Sequence, residues 1–125
     1  VTAAAPLAFT PVRDGAELDA MLALARADKR PALLDFYADW CAPCREMEKH
    51  TFTDAAVRQK LSGFTLLRAD VTANSPEQLA LLKRFGLQGP PGIVLFDAQG
   101  RELADRRIVG FRAPDAFLAA LSGTF

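Results

Sequence analysis

An almost unbroken apolar run, Ala32-Leu33-Leu34-Asp35-Phe36-Tyr37-Ala38, leads into Cys41-Ala42-Pro43-Cys44, and no other segment constrains the fold as tightly. A continuous apolar run of strand length reads as a central strand covered on both faces. Pro43 suits the first turn of a helix, where its missing N–H would lack a partner anyway. A helix is therefore expected to start around the cysteines and to run through Arg45, Glu46, Met47, Glu48 and Lys49.

The remaining segments fit around that junction. Residues 1–6 read as a linker end, and a single domain is expected over 7–125, with an extended stretch from Leu7 to Val12. Asp14 can cap a helix with Glu17 as capping-box partner, and Leu18, Met21, Leu22 and Ala25 then share one face. A helical stretch over 54–61 precedes a strand over 64–71. Ser75-Pro76-Glu77-Gln78 supplies a cap, a first-turn proline and a box partner for a helix reaching Phe85 and Gly86. Ile93 to Phe96 is a strand, Asp97 to Gly100 turns into a second extended piece ending near Gly110, and a helix from Pro114 to Leu121 closes the domain. The order βαβαβαββα predicts an α/β fold: a mixed central sheet with helices on both faces.

Composition removes several function classes. Fifteen basic side chains balance fifteen acidic ones, so no net field recruits nucleic acid or anionic lipid. No apolar stretch approaches the roughly 18 residues that cross a bilayer. The chain opens on Val1 without a charged, apolar leader, and reads as a processed product or a domain of something larger. Two cysteines exclude a multi-bridge secreted scaffold.

A Cys-x-x-Cys pair on a first helical turn suits disulfide exchange, which needs one thiolate that reaches a partner's sulfur and a second thiol that expels the partner. Cys41 is expected to be exposed near the helix N-terminus, and Cys44 to resolve the mixed disulfide. Structural zinc needs four ligands, and the pair plus His50 falls short; c-type haem needs His where Arg45 stands. No metal or other cofactor is expected beyond the cysteine pair itself. A structural disulfide closing so small a loop adds little stability, and a binding or chaperone module with incidental cysteines is the alternative from another class.

Asp35 is costly to bury in an apolar strand unless it is used; burial raises its pKa and fits it to exchange a proton with Cys44. Glu48, four residues after Cys44, approaches the site from the helix, or else pairs with Arg45 or Lys49. Two acids near a dithiol oppose thiolate formation and push the pair toward a reductant. Pro91, after Pro90 and ahead of a buried strand, is a position where a cis peptide is tolerated, and Trp40 reads as an apolar platform for partners. His50 reads as a surface residue without a role.

The segment Tyr37-Ala38-Asp39-Trp40-Cys41-Ala42-Pro43-Cys44 resembles the thioredoxin superfamily. Arg45 to Lys49 with Thr51-Phe52, then Ala69 to Asn74, then Leu81 to Phe85 are similar to the C-terminal domain of the DsbD family, over about residues 30–120. That resemblance implies the periplasmic domain of a bacterial inner-membrane protein. In it, Cys41 receives electrons from a transmembrane domain and passes them to an N-terminal domain that serves the disulfide isomerase and cytochrome c maturation. A general thioredoxin-like disulfide reductase is the runner-up. The resemblance maps the family's acidic pair onto Asp35 and Glu48 and its cis-proline onto Pro91, with protein thiols and disulfides as partners and the domain itself a monomer. Pro90 and Gly92 depart from the family's aliphatic residue and threonine, so a bound chain can pair only with the Pro90 carbonyl.

Overall fold

Strand β2 (Ala32–Tyr37) forms the centre of a five-stranded sheet in the order β1-β3-β2-β4-β5, in a computed structural model that describes residues 7–123 and 125. The linker expected over 1–6 lies outside the described residues. Strand β1 (Thr10–Pro11) and β2 run parallel to β3 (Thr65–Asp70), while β4 (Gly92–Phe96) runs antiparallel to β2 and to β5 (Ile108–Val109). This is the expected mixed sheet.

Alternation along β2 divides the core in two. Leu34 and Phe36 join Leu18, Ala25, Leu67, Ala69, Leu81, Phe85 and Val94, so α1 (Gly15–Ala27) and α4 (Pro76–Arg84) cover this face. Leu33 joins Met47, Phe52, Val57, Leu61, Ile93, Leu95 and Phe117, under α3 (Ala55–Leu61) and α5 (Pro114–Ala120). A strand apolar on both faces fits only between two such layers.

Local chemistry explains where elements stop. The expected capping box at Ser75 closes in both directions, Gln78 N–H donating to Ser75 Oγ at 3.2 Å and Ser75 N–H to Gln78 Oε1 at 3.0 Å. At α1 the box is half formed: Asp14 accepts from Glu17 N–H, but the Glu17 carboxylate accepts from Arg13 N–H, one residue before the cap. The first strand shrinks to two residues because Pro11 offers no N–H, leaving Val12 N–H to extend the ladder to Arg68 O at 2.9 Å. The extended piece after the Asp97–Gly100 turn is also shorter than expected. Leu103 N–H reaches Leu95 O, a 3-10 turn follows over Ala104–Arg106, and pairing resumes only at Ile108.

Helix α2 (Ala42–Glu46) does not continue as an α-helix through Lys49; it widens into a π-helical turn, Met47–Thr51. Phe52 N–H bonds Met47 O five residues back at 2.8 Å. The buried Thr51 hydroxyl donates to Arg112 O at 2.5 Å, and Arg112 N–H points at Met47 Sδ, so the turn is tied to the segment that leads into α5. Such turns concentrate at functional sites.

Candidate active site

The site grows from the C-terminal end of β2. Cys41 N–H donates to Ala38 O at 3.1 Å, and Cys41 then caps α2: its sulfur accepts Cys44 N–H at 3.2 Å and its carbonyl accepts Arg45 N–H. Pro43 occupies the first turn, as its missing N–H allows. Cys41 and Cys44 are joined as a disulfide with Cα atoms 5.3 Å apart, and the Cys44 sulfur lies 3.9 Å from Phe36 O. A backbone N–H directed at the Cys41 sulfur favours its thiolate once the bond is reduced.

The expected exposure of Cys41 is not found. Both cysteines are only 4% exposed, because the disulfide turns inward onto the cluster that contains Phe36, Ala38, Ala69 and Val71. What faces outward is the rim. Trp40 is 55% exposed, with its indole N–H held by Thr72 O at 3.0 Å, while Asp39 N–H donates to Thr72 Oγ1 at 2.9 Å. The loop after β3 thus fixes the indole by its edge. The Pro90–Pro91 bond is cis, and Pro91 O accepts Gly110 N–H at 3.3 Å. Gly92 is buried because a Cβ there would lie 2.9 Å from Leu87 Cδ1: Leu87 fills the space a larger residue would take.

Asp35 is 5% exposed and shares the sheet face of Leu33. Burial pushes its carboxyl up to about 7, against the opposing pull of the Arg68 guanidinium and with a smaller push from Glu48. A group poised there can take a proton and return it near neutral pH.

Arg68 is the residue the sequence reading missed. Strands β2 and β3 pair in register with Asp35 opposite Arg68, so the two side chains leave the same face. Arg68 Nη2 lies 2.9 Å from Asp35 Oδ2, and Nε donates to the same oxygen at 3.0 Å. The same Nη2 also meets Glu48 Oε1, so Glu48 pairs with this arginine rather than with Arg45 or Lys49. The guanidinium sits over the rings of Phe9 at 4.3 Å and Tyr37 at 4.8 Å. The available signal was an arginine inside Leu66-Leu67-Arg68-Ala69, as out of place in its strand as Asp35 is in its own. His50 lies on the surface, paired with Glu46 at 2.9 Å. Among the described residues no group of three or more His, Cys, Asp or Glu gathers to hold a metal ion, and no helix is long and apolar enough to cross a membrane.

A disulfide at a strand-to-helix junction, over a mixed sheet and beside a cis-proline loop, defines the class of thioredoxin-fold dithiol domains. The model of the thioredoxin-like domain family matches residues 18–124. The oxidised C-terminal domain of Neisseria meningitidis DsbD superposes with a TM-score of 0.73 at 38% identity, covering 90% of this chain and 95% of that one. A thioredoxin from Thermus thermophilus superposes at 0.69 with 25% identity, covering 92% and 85%. The thiol:disulfide interchange protein DsbD of Ralstonia nicotianae is 52% identical over 113 residues, 90% of this chain and 18% of that protein. The DsbD of Klebsiella pneumoniae is 50% identical over 117 residues, 94% of this chain and 19% of that protein. The chain belongs to the thioredoxin-like family and, within it, to the C-terminal domains of DsbD. It spans about a fifth of the length of these curated relatives.

Proposed function

We propose that this domain is a reductive relay, taking two electrons by dithiol–disulfide exchange from a transmembrane domain of DsbD type and passing them to a periplasmic partner domain. The observation that carries the reading is the Cys41–Cys44 disulfide seated at the start of α2, with the protonatable Asp35 on the strand that leads to it. The similarity to DsbD supports the assignment of partners and of the periplasmic face of the inner membrane as the place of action.

In the reduced domain the Cys41 thiolate attacks one sulfur of the partner's disulfide, and the partner's other sulfur leaves as a thiolate that takes a proton from water. Cys44 gives its S–H proton to the Asp35 carboxylate and attacks the Cys41 sulfur. The bond from Cys41 to the partner breaks, the partner's second sulfur departs with the electron pair, and the domain is left as the disulfide. Asp35 then releases the proton it took, by way of water, to that second thiolate, so the partner has gained two electrons and two protons, one from water and one from Cys44. The reverse sequence, with a membrane-embedded dithiol as donor, restores the reduced state.

Trp40 supplies an apolar platform beside the disulfide, and the Pro90–Pro91 loop offers the partner chain a carbonyl at Pro90 but no N–H. Equilibration against a thiol–disulfide buffer series is expected to give a potential nearer the roughly −270 mV of thioredoxin than the roughly −120 mV of a strong oxidant. A value at the oxidant's end overturns the relay. Rapid reduction by NADPH and a thioredoxin reductase assigns the domain instead as a general disulfide reductase.

A further inference from the structure

We propose that Thr72 is a positioning residue of this site: its hydroxyl, oriented by Asp70, straps the Asp39–Trp40 turn to the loop after β3 and so holds the Trp40 indole where a protein partner meets the dithiol. The inference rests on the reading of Trp40 as the partner's platform and deepens it by naming what fixes that platform. Ala38 O accepts Cys41 N–H at 3.1 Å, so Asp39 and Trp40 are the central residues of the turn that delivers Cys41. Thr72 holds both of them: its Oγ1 accepts Asp39 N–H at 2.9 Å, and its carbonyl accepts the indole N–H at 3.0 Å.

The direction of each bond follows from what the groups can do. An amide N–H only donates, so Thr72 Oγ1 must accept from Asp39 and direct its own proton elsewhere. That proton goes to Asp70 Oδ1, which also accepts Thr72 N–H at 2.9 Å. The loop is itself anchored, since Val71 N–H donates to Tyr37 O at 2.7 Å and Asn74 N–H to Val71 O at 3.0 Å. The bond to the indole uses a backbone carbonyl that no substitution removes; the hydroxyl decides where that carbonyl stands relative to the turn. Both cysteines are buried while Trp40 is exposed, so the indole is presented to an approaching chain and the sulfurs are not. An indole released from Thr72 takes up other rotamers and has to be ordered again when a partner docks, a cost that a small dithiol reaching the same disulfide does not meet.

The test takes the ratio of two rates: exchange between the reduced domain and an oxidised N-terminal domain from a DsbD relative, and reduction of the oxidised domain by dithiothreitol. The fluorescence anisotropy of Trp40, the chain's one tryptophan, is read on the domain alone. Thr72→Val, which keeps the branched shape and removes the hydroxyl, is expected to lower the ratio roughly two- to tenfold and to lower the anisotropy. Thr72→Ser keeps the hydroxyl and is expected to restore both. Asp70→Ala is expected to move both in the same direction by less, and it decides the matter if Thr72→Val does not fold. An unchanged ratio in the deciding variant overturns the proposal, as does a Thr72→Ser protein that behaves like Thr72→Val. A wild-type domain that reacts with dithiothreitol but not with the N-terminal domain removes the relay reading instead, and the ratio is then taken with oxidised insulin as the protein disulfide.

Discussion

The carboxyl of Asp35 occupies a position where most apolar side chains would add stability, since its strand neighbours Leu33, Leu34 and Phe36 are fully buried. The group ionises near 3.8 in the unfolded chain and near about 7 in the folded one. Across that window the folded chain keeps a proton the unfolded chain has released, so stability falls as pH rises through it, and above about 7 the full penalty applies. Asp35→Asn is therefore expected to be more stable than wild type by roughly 2–4 kcal/mol at alkaline pH, with the difference vanishing near pH 4. Urea unfolding of both proteins at the two pH values checks this; a difference independent of pH contradicts the burial of an ionisable group. The oddity of Asp35 was legible because charge inside an apolar run is visible in one dimension. Its partner was not, since the register that sets Asp35 beside Arg68 is a property of two strands 33 residues apart.

Elements rather than residues explain the departures around the cis-proline loop. Gly92 was visible in the sequence as unusual, but its cause lies in Leu87, whose side chain fills the space above it and packs against the α1–α4 side of the core. Gly92→Thr is expected to cost about 1–3 kcal/mol by overpacking, and less in a Leu87→Ala background, where the cavity accepts the new side chain. A double-mutant cycle by denaturant unfolding measures the coupling; strictly additive costs contradict the pairing. Element boundaries were the least legible feature for a similar reason. The π turn at Met47–Thr51 depends on Thr51 reaching Arg112, a contact between segments 61 residues apart that no local propensity encodes. The caps at Asp14, Asp54 and Ser75 are local chemistry, and all three place a side-chain oxygen on the expected helix start.

For the whole molecule, the order of elements and the two-sided core were legible, because hydrophobic periodicity and turn residues report them without reference to tertiary contacts. The position of the dithiol followed from the strand-to-helix junction. Its burial did not follow, because it depends on how the β2–α2 turn packs with Ala69 of β3 and with Val71 just beyond that strand. With the sulfurs turned inward and Trp40 exposed beside them, exchange requires a partner that brings its own sulfur close to the rim. The most direct measurement is a trap: the Cys44→Ser protein, mixed with an oxidised N-terminal domain from a DsbD relative, is run on a non-reducing gel. The account predicts a one-to-one species that disappears with dithiothreitol and is absent when Cys41 is also replaced by Ser. No such species, under conditions where the same partner is reduced by dithiothreitol alone, contradicts it.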